Sequence, residues 1–171
     1  MQPTCYVMCG IPASGKSTMR EKMNDMNTDA FVYSTDSYVD EIAKQRGVTY
    51  SDLWADMIGD ATKQMDEWLG VTIQDGRDVI WDQTNIGVGK RKKIINRMKQ
   101  AGYRVEAHAV RLPEPGHIDA WKELAFRLKN RPGKSIPENV MKNMTDNYVL
   151  PETDEGFDEV VLYNMYGVVV G

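Results

Sequence analysis

The chain has 171 residues, 42% of them apolar and 27% charged, with a formal net charge of −4. That length suits one domain with a sizeable core, and no apolar run approaches the roughly 18 residues of a membrane span, so no such span is expected. The mild acidity argues against a nucleic-acid partner, but residues 90–134 hold 13 Lys and Arg against 4 Asp and Glu. Such a segment reads either as solvated helix faces or as an anion-binding surface.

The opening run "MQPTCYVMCG" has no basic flank and no small-residue cleavage site, so no signal peptide is legible and a cytoplasmic location is expected. Its second half, "TCYVMC", predicts a buried strand in which Cys5 and Cys9 point to one face as reduced, packed thiols. The glycine-rich stretch "GIPASGKST" follows, then a helix over "KSTMREKMNDM" and a second strand over "FVYST". Two helices come next, "DSYVDEIAKQR" and "YSDLWADMIGDATKQMDEWLGVTIQ". In the longer one Leu53, Met57, Ala61, Met65 and Trp68 form an apolar stripe that reads as core. "DVIWDQT" predicts a third strand, "GKRKKIINRMKQAG" a helix closed by Gly102, and "YRVEAHAVRL" a fourth strand. Helices from about Ile118 to Arg131 and from about Pro137 to Tyr148 precede a last strand, "EVVLYN". The tail "YGVVVG" suits an added edge strand or a partner contact. His108 reads as a packed strand residue, and neither it nor His117 has a metal-ligand partner. Strands separated by helices imply a parallel sheet covered on both faces.

Gly10, four residues, then Gly15, Lys16 and Ser17, placed between a strand and a helix, satisfy the phosphate-loop pattern. Residues Gly10, Ile11, Pro12, Ala13, Ser14, Gly15, Lys16, Ser17 and Thr18 are therefore expected to cradle the phosphates of ATP. Lys16 would reach the β and γ phosphates, and Ser17 would help hold Mg²⁺. The second strand ends next to Asp36, at the sheet edge where ligands gather, so its carboxylate can serve as general base; capping the following helix is the competing role. Asp82, at the end of the third strand, is expected to orient Mg²⁺ through water, with Thr84 and Asn85 beside it.

Together, "GIPASGKST", "STDSY", "WDQTN" and "RLKNRPGKSIP" resemble the kinase domain of bacteriophage polynucleotide kinases, over roughly residues 4 to 150. The resemblance implies a three-layer α/β phosphate-loop kinase fold with about five parallel strands. It also implies one domain over residues 1–171 and a helical lid at about 115–137. Its lid motif ends a helix in Arg127 and Arg131, followed by Gly133, Lys134 and Pro137. Four apart on a helix, the two guanidiniums would share a face and clamp the transferring phosphoryl group. The implied activity is phosphotransfer from ATP, with Mg²⁺, to the 5′ hydroxyl of DNA or RNA, in the cytoplasm of a host cell if the chain is phage-encoded. Lys16, Asp36, Arg127 and Arg131 would be catalytic, and Asp36, Tyr38, Thr84, Asn85 and Arg91 would face the acceptor.

Two positions depart from that pattern, both on the acceptor side. Val39 stands where the family places an arginine three residues after the catalytic aspartate, and Gln83 stands where it places an acid before the Thr-Asn pair. No "DxDGT" phosphatase motif is present. A 5′ hydroxyl guided by the basic run Lys90–Lys93 therefore competes with a second acceptor, the hydroxyl of a hydroxymethylated pyrimidine in DNA or of a small nucleoside. The aromatic residues Tyr38, Tyr50, Trp54 and Trp68 lie in the helical insert near that acceptor, most of them expected in the core. Outside the kinases, a nucleotide-dependent switch would need a water-orienting residue, for which Gln83 is the candidate.

Overall fold

Five short runs form one sheet: β1 (Thr4–Cys9), β2 (Phe31–Tyr33), β3 (Val79–Asp82), β4 (Arg104–Val110) and β5 (Glu159–Tyr163). In this computed structural model, which describes all 171 residues, they lie in the order β2-β3-β1-β4-β5 and every neighbouring pair is parallel. The helices are α1 (Lys16–Met26), α2 (Thr35–Arg46), α3 (Tyr50–Asp75), α4 (Val88–Gln100), α5 (Ile118–Lys129) and α6 (Glu138–Asp146). This is the expected three-layer α/β fold. No helix is long and apolar enough to cross a membrane.

Period-two alternation in β1 divides the core. Cys5, Val7 and Cys9 face Met65 and Leu69 of α3 and Ile94, Ile95 and Met98 of α4. Met8 faces the other way, into a cluster with Met19 and Met23 of α1 and Leu124 of α5. Burying each such side chain contributes about 1.5–3 kcal/mol, so the sheet is gripped on both faces. Both thiols are free and buried, and burial pushes the Cys9 thiol up to about 12, which leaves it protonated and inert.

Local chemistry sets the helix ends near the site. Ser34 ends β2 and caps α2, its Oγ accepting from Ser37 N at 3.1 Å, so β2 is shorter than predicted and Asp36 does not serve as the cap. Thr49 and Asp52 form a reciprocal capping box at the start of α3. Along α3 the buried stripe is Ala61, Met65, Leu69 and Thr72, so Ala61 and Met65 of the predicted stripe are core, while Leu53 and Met57 are half-buried and Trp54 and Trp68 are exposed. The tail turns back on β5 through a single antiparallel bridge, Tyr163 with Val169.

His108 is packed within β4 as expected. Its Nε2 is 3.1 Å from Glu106 and its Nδ1 is 3.0 Å from the Tyr163 hydroxyl. Burial pulls its pKa below the ordinary histidine value, against the opposing pull of Glu106. The unfolded chain then binds a proton that the folded chain resists, so this contribution to stability is present above about pH 6.5 and is lost as pH falls toward the folded value. His108→Gln should flatten the decline of the urea midpoint between pH 7 and 5.5; an equal decline in both proteins would refute the assignment.

Candidate phosphate and acceptor site

The loop between β1 and α1 is held open by its backbone. Gly10 N donates to Thr84 O at 2.9 Å, tying the loop to the end of β3. A Cβ on Gly10 would lie 2.7 Å from Ser14 Oγ and 3.0 Å from Lys16 Cγ, so a side chain there would displace those two residues of the loop. Gly15 has φ 107° and its α-carbon faces Met165 O, which a Cβ would meet at 3.0 Å. Helix α1 starts without a side-chain cap and without an acidic residue in its first turn. Its leading N–H groups are thus left for an anion, in the positive field of the helix end. Ser14 Oγ is buried in the same loop with no partner, a further polar atom without a protein ligand.

Opposite the loop, Asp82 is bound only by cations. Lys16 Nζ lies 3.7 Å from its Oδ1, and Arg20 Nη1 lies 2.9 Å from its Oδ2. Arg20 also donates to Ser37 Oγ at 3.2 Å, linking β3 to the first turn of α2. Arg20 was not singled out by the sequence; its only signal is a position one turn beyond Lys16 on the same helix face. Ser17 is exposed in the first turn of α1. The fold has no cluster of three or more metal-ligating side chains. A Mg²⁺ ion would therefore take Ser17, with Asp82 through water, and its remaining ligands from phosphates, which suits the way that ion binds.

Asp36, in the first turn of α2, is exposed and accepts from Tyr50 OH at 2.7 Å through Oδ1. Lys134 Nζ sits 4.6 Å above the Tyr50 ring and 2.6 Å from Asp40 Oδ2. Tyr38 is half-buried and meets Trp68 edge-on at 6.0 Å, with Trp68 itself 45% exposed. The basic run of α4 divides three ways. Lys90 is exposed, while desolvation by the groups packed around it pulls its pKa below the ordinary lysine value, against the opposing charge of Asp36. Lys92 and Lys93 are exposed.

Arg91 corrects the sequence reading. It is fully buried, donates twice to Glu155 at 2.7 and 2.8 Å, and reaches Asn85 O and Val149 O at 3.0 and 2.9 Å, so no guanidinium nitrogen is left for an acceptor. Asn85 is likewise a strut. It is buried at φ 47°, and its Nδ2 donates to Met8 O at 2.7 Å, while its Oδ1 is buried without a partner. Thr84 is half-buried and meets the phosphate loop through its carbonyl. Gln83 is engaged at both ends, accepting from Trp81 Nε1 and donating to Thr35 Oγ1.

The two lid arginines also part company. Helix α5 stops at Lys129 with Asn130 as its C-cap, so Arg131 lies beyond the helix and the pair shares no helix face. Arg127 pairs with Glu123, donates to Met165 O at 3.0 Å and sits 5.7 Å from the Tyr166 ring centroid, on the side of Gly15. Arg131 lies where its charge acts on Tyr50.

A parallel sheet with an anion-ready loop at the carboxyl end of β1 defines a nucleotide-binding protein of the phosphate-loop class, and the fold is that of phosphate-loop kinases. The chain belongs to the AAA_33 family of AAA domains, whose profile matches residues 6–151. It is similar to L-seryl-tRNA(Sec) kinase of Methanococcus maripaludis, 23% identical over 156 residues, which cover 89% of this chain and 55% of that protein. The chain thus spans about half the length of that relative. Among solved structures it resembles one from the PezAT chromosomal toxin-antitoxin system of Streptococcus pneumoniae, with TM-score 0.67 and 16% identity over 99% of this chain and 70% of the other. A fungal RNA kinase superposes with TM-score 0.55 and 14% identity, over 96% and 76% of the two chains. Likeness at such identities shows the shared fold.

Proposed function

We propose that the chain is an ATP-dependent phosphotransferase that moves the γ-phosphate to a hydroxyl of nucleic acid, foremost the 5′ hydroxyl of DNA or RNA. The observation that carries this is the pairing, across one sheet edge, of an uncapped phosphate loop with the exposed carboxylate of Asp36. The chain acts as one domain, with residues 115–137 as its lid. The relative named as a kinase of seryl-tRNA supports the phosphotransfer chemistry.

In this reading Lys16 leaves Asp82 for the β and γ phosphates, and the first N–H groups of α1 hold the anion in place. Ser17, and Asp82 through water, would hold Mg²⁺, which would supply neutralisation of phosphate charge. The acceptor hydroxyl gives its proton to Asp36 as its oxygen bonds to phosphorus, and the bond to the leaving ADP oxygen breaks. Arg127, beside Gly15, and Arg131, whose charge acts on Tyr50, would then supply charge to the transferring group.

A second acceptor is favoured by one observation. Val39 is fully buried and supplies no cation of its own to a terminal phosphate, whereas Tyr38 and the exposed face of Trp68 lie on the same side of α2 and α3. Those features suit the hydroxymethyl group of a modified pyrimidine drawn out of its stack. A switch is disfavoured because both ends of the Gln83 amide are occupied.

Labelled ATP and Mg²⁺ with two single strands test the proposal. One strand has a free 5′ hydroxyl; the other is 5′-phosphorylated and carries internal 5-hydroxymethyluracil. Label on the first is the expected result, and label on the second alone reassigns the acceptor. Label on neither, with ADP still released, removes nucleic acid as the substrate.

A further inference from the structure

The proposed base Asp36 is held by a residue from a different helix, and that residue is held in turn by the loop that follows α5. Tyr50 starts α3 and donates its phenol to Asp36 Oδ1 at 2.7 Å. One carboxylate oxygen is thereby engaged and held, leaving Oδ2 for an incoming hydroxyl. A phenol hydrogen-bonded to a carboxylate is a stronger restraint than a neutral pair, because the acceptor carries charge. Burial and the neighbouring Asp36 push the Tyr50 pKa up, which keeps the phenol a donor.

The loop after α5 clasps the same ring. Lys134 caps its face at 4.6 Å and anchors to Asp40 of α2 at 2.6 Å. Ser51 N donates to Gly133 O at 3.2 Å, and Ser135 N donates to Ser51 Oγ at 3.1 Å, so the loop is stapled to the first turn of α3 on both sides of Lys134. Gly133 has φ 66°, and a Cβ there would touch Thr49 at 3.4 Å, so the backbone lies flat on the start of that helix. Every contact of the Tyr50 ring and hydroxyl named here leads from the lid to Asp36 or to its helix.

We propose that Tyr50 is a positioning residue for Asp36, and that Lys134 acts through Tyr50, so that docking of residues 131–135 on α3 completes the acceptor half of the site. This rests on the reading of Asp36 as the base. The arrangement makes transfer depend on a closed lid: with the loop undocked, Tyr50 loses its clamp and Asp36 its fixed orientation, while the phosphate loop is unaltered. Nucleotide binding and acceptor activation are then separable, which is the property the test reads.

The probe is one single strand carrying both a free 5′ hydroxyl and an internal 5-hydroxymethyluracil, with ADP release to water as the readout if that strand takes no label. Tyr50→Phe keeps the ring under Lys134 and removes only the hydroxyl. It should lower kcat about tenfold while the KM for ATP stays within twofold. Lys134→Met should lower kcat severalfold, Lys134→Arg should restore it, and Lys134→Met should add little in the Tyr50→Phe background, because the two act in series. Thermal melting and nucleotide binding of each variant separate these effects from misfolding. Full kcat in Tyr50→Phe, or additive losses in the double variant, would overturn the inference. Asp36→Asn is the separating control: if it retains transfer, the reading of Asp36 as base fails, whereas if it loses transfer and Tyr50→Phe does not, only the positioning role fails.

Discussion

Asp36→Asn is expected to slow phosphoryl transfer about a thousandfold, roughly 4 kcal/mol of barrier, while nucleotide affinity changes less than twofold. The substitution keeps the shape of the side chain and an oxygen that can still accept from Tyr50 OH, so the clamp at 2.7 Å need not be lost. What disappears is the negative charge and basicity proposed to take up the acceptor proton. Lys16, Gly15 and the uncapped start of α1 stand apart from this carboxylate, on the phosphate side. A single-turnover assay with labelled ATP, paired with a nucleotide titration, separates the two quantities. Loss of transfer within tenfold of wild type would remove Asp36 as the base, and a parallel loss of nucleotide binding would show that it belongs to the phosphate site instead.

The features legible in the sequence were those fixed by neighbours along the chain. The phosphate loop, α1 and the order of strands and helices follow from glycines, periodicity and flanking elements within a few residues of one another. The partners of charged side chains did not follow, because they are chosen across the fold. Arg20 meets Asp82 across 62 residues and Tyr50 meets Asp36 across 14, and no local spacing encodes either contact. The two lid arginines were read as one helix face because four-residue spacing is diagnostic only while a helix continues, and α5 stops between them. Arg91 had a signal that the charge run concealed: with Ile94, Ile95 and Met98 it falls on the apolar face of α4. A charged residue at an apolar position of a helical stripe marks a buried pair more often than a binding patch, since burial of charge requires a partner.

That burial sets the second large expectation. Arg91→Ala should lower stability by about 3–5 kcal/mol, because it strips the charge partner from Glu155, itself 7% exposed, and leaves two carbonyls without donors. The cost is that of an abandoned buried carboxylate more than the worth of the pair itself, and this has a direct test. Replacing both partners, Arg91→Met with Glu155→Leu, should recover a large part of the loss in urea unfolding, since neither charge is then buried alone. The defect should also reach the nucleotide. Arg91 holds Asn85 O, Asn85 holds Met8 O, and the adjacent Thr84 O accepts from Gly10 N at the entrance to the phosphate loop. Arg91→Ala is therefore expected to weaken ATP binding although the side chain never touches the ligand, and the double variant, which restores packing without restoring the donors, should regain stability ahead of affinity. Equal recovery of both would mean that the strut to Asn85 is dispensable for the loop.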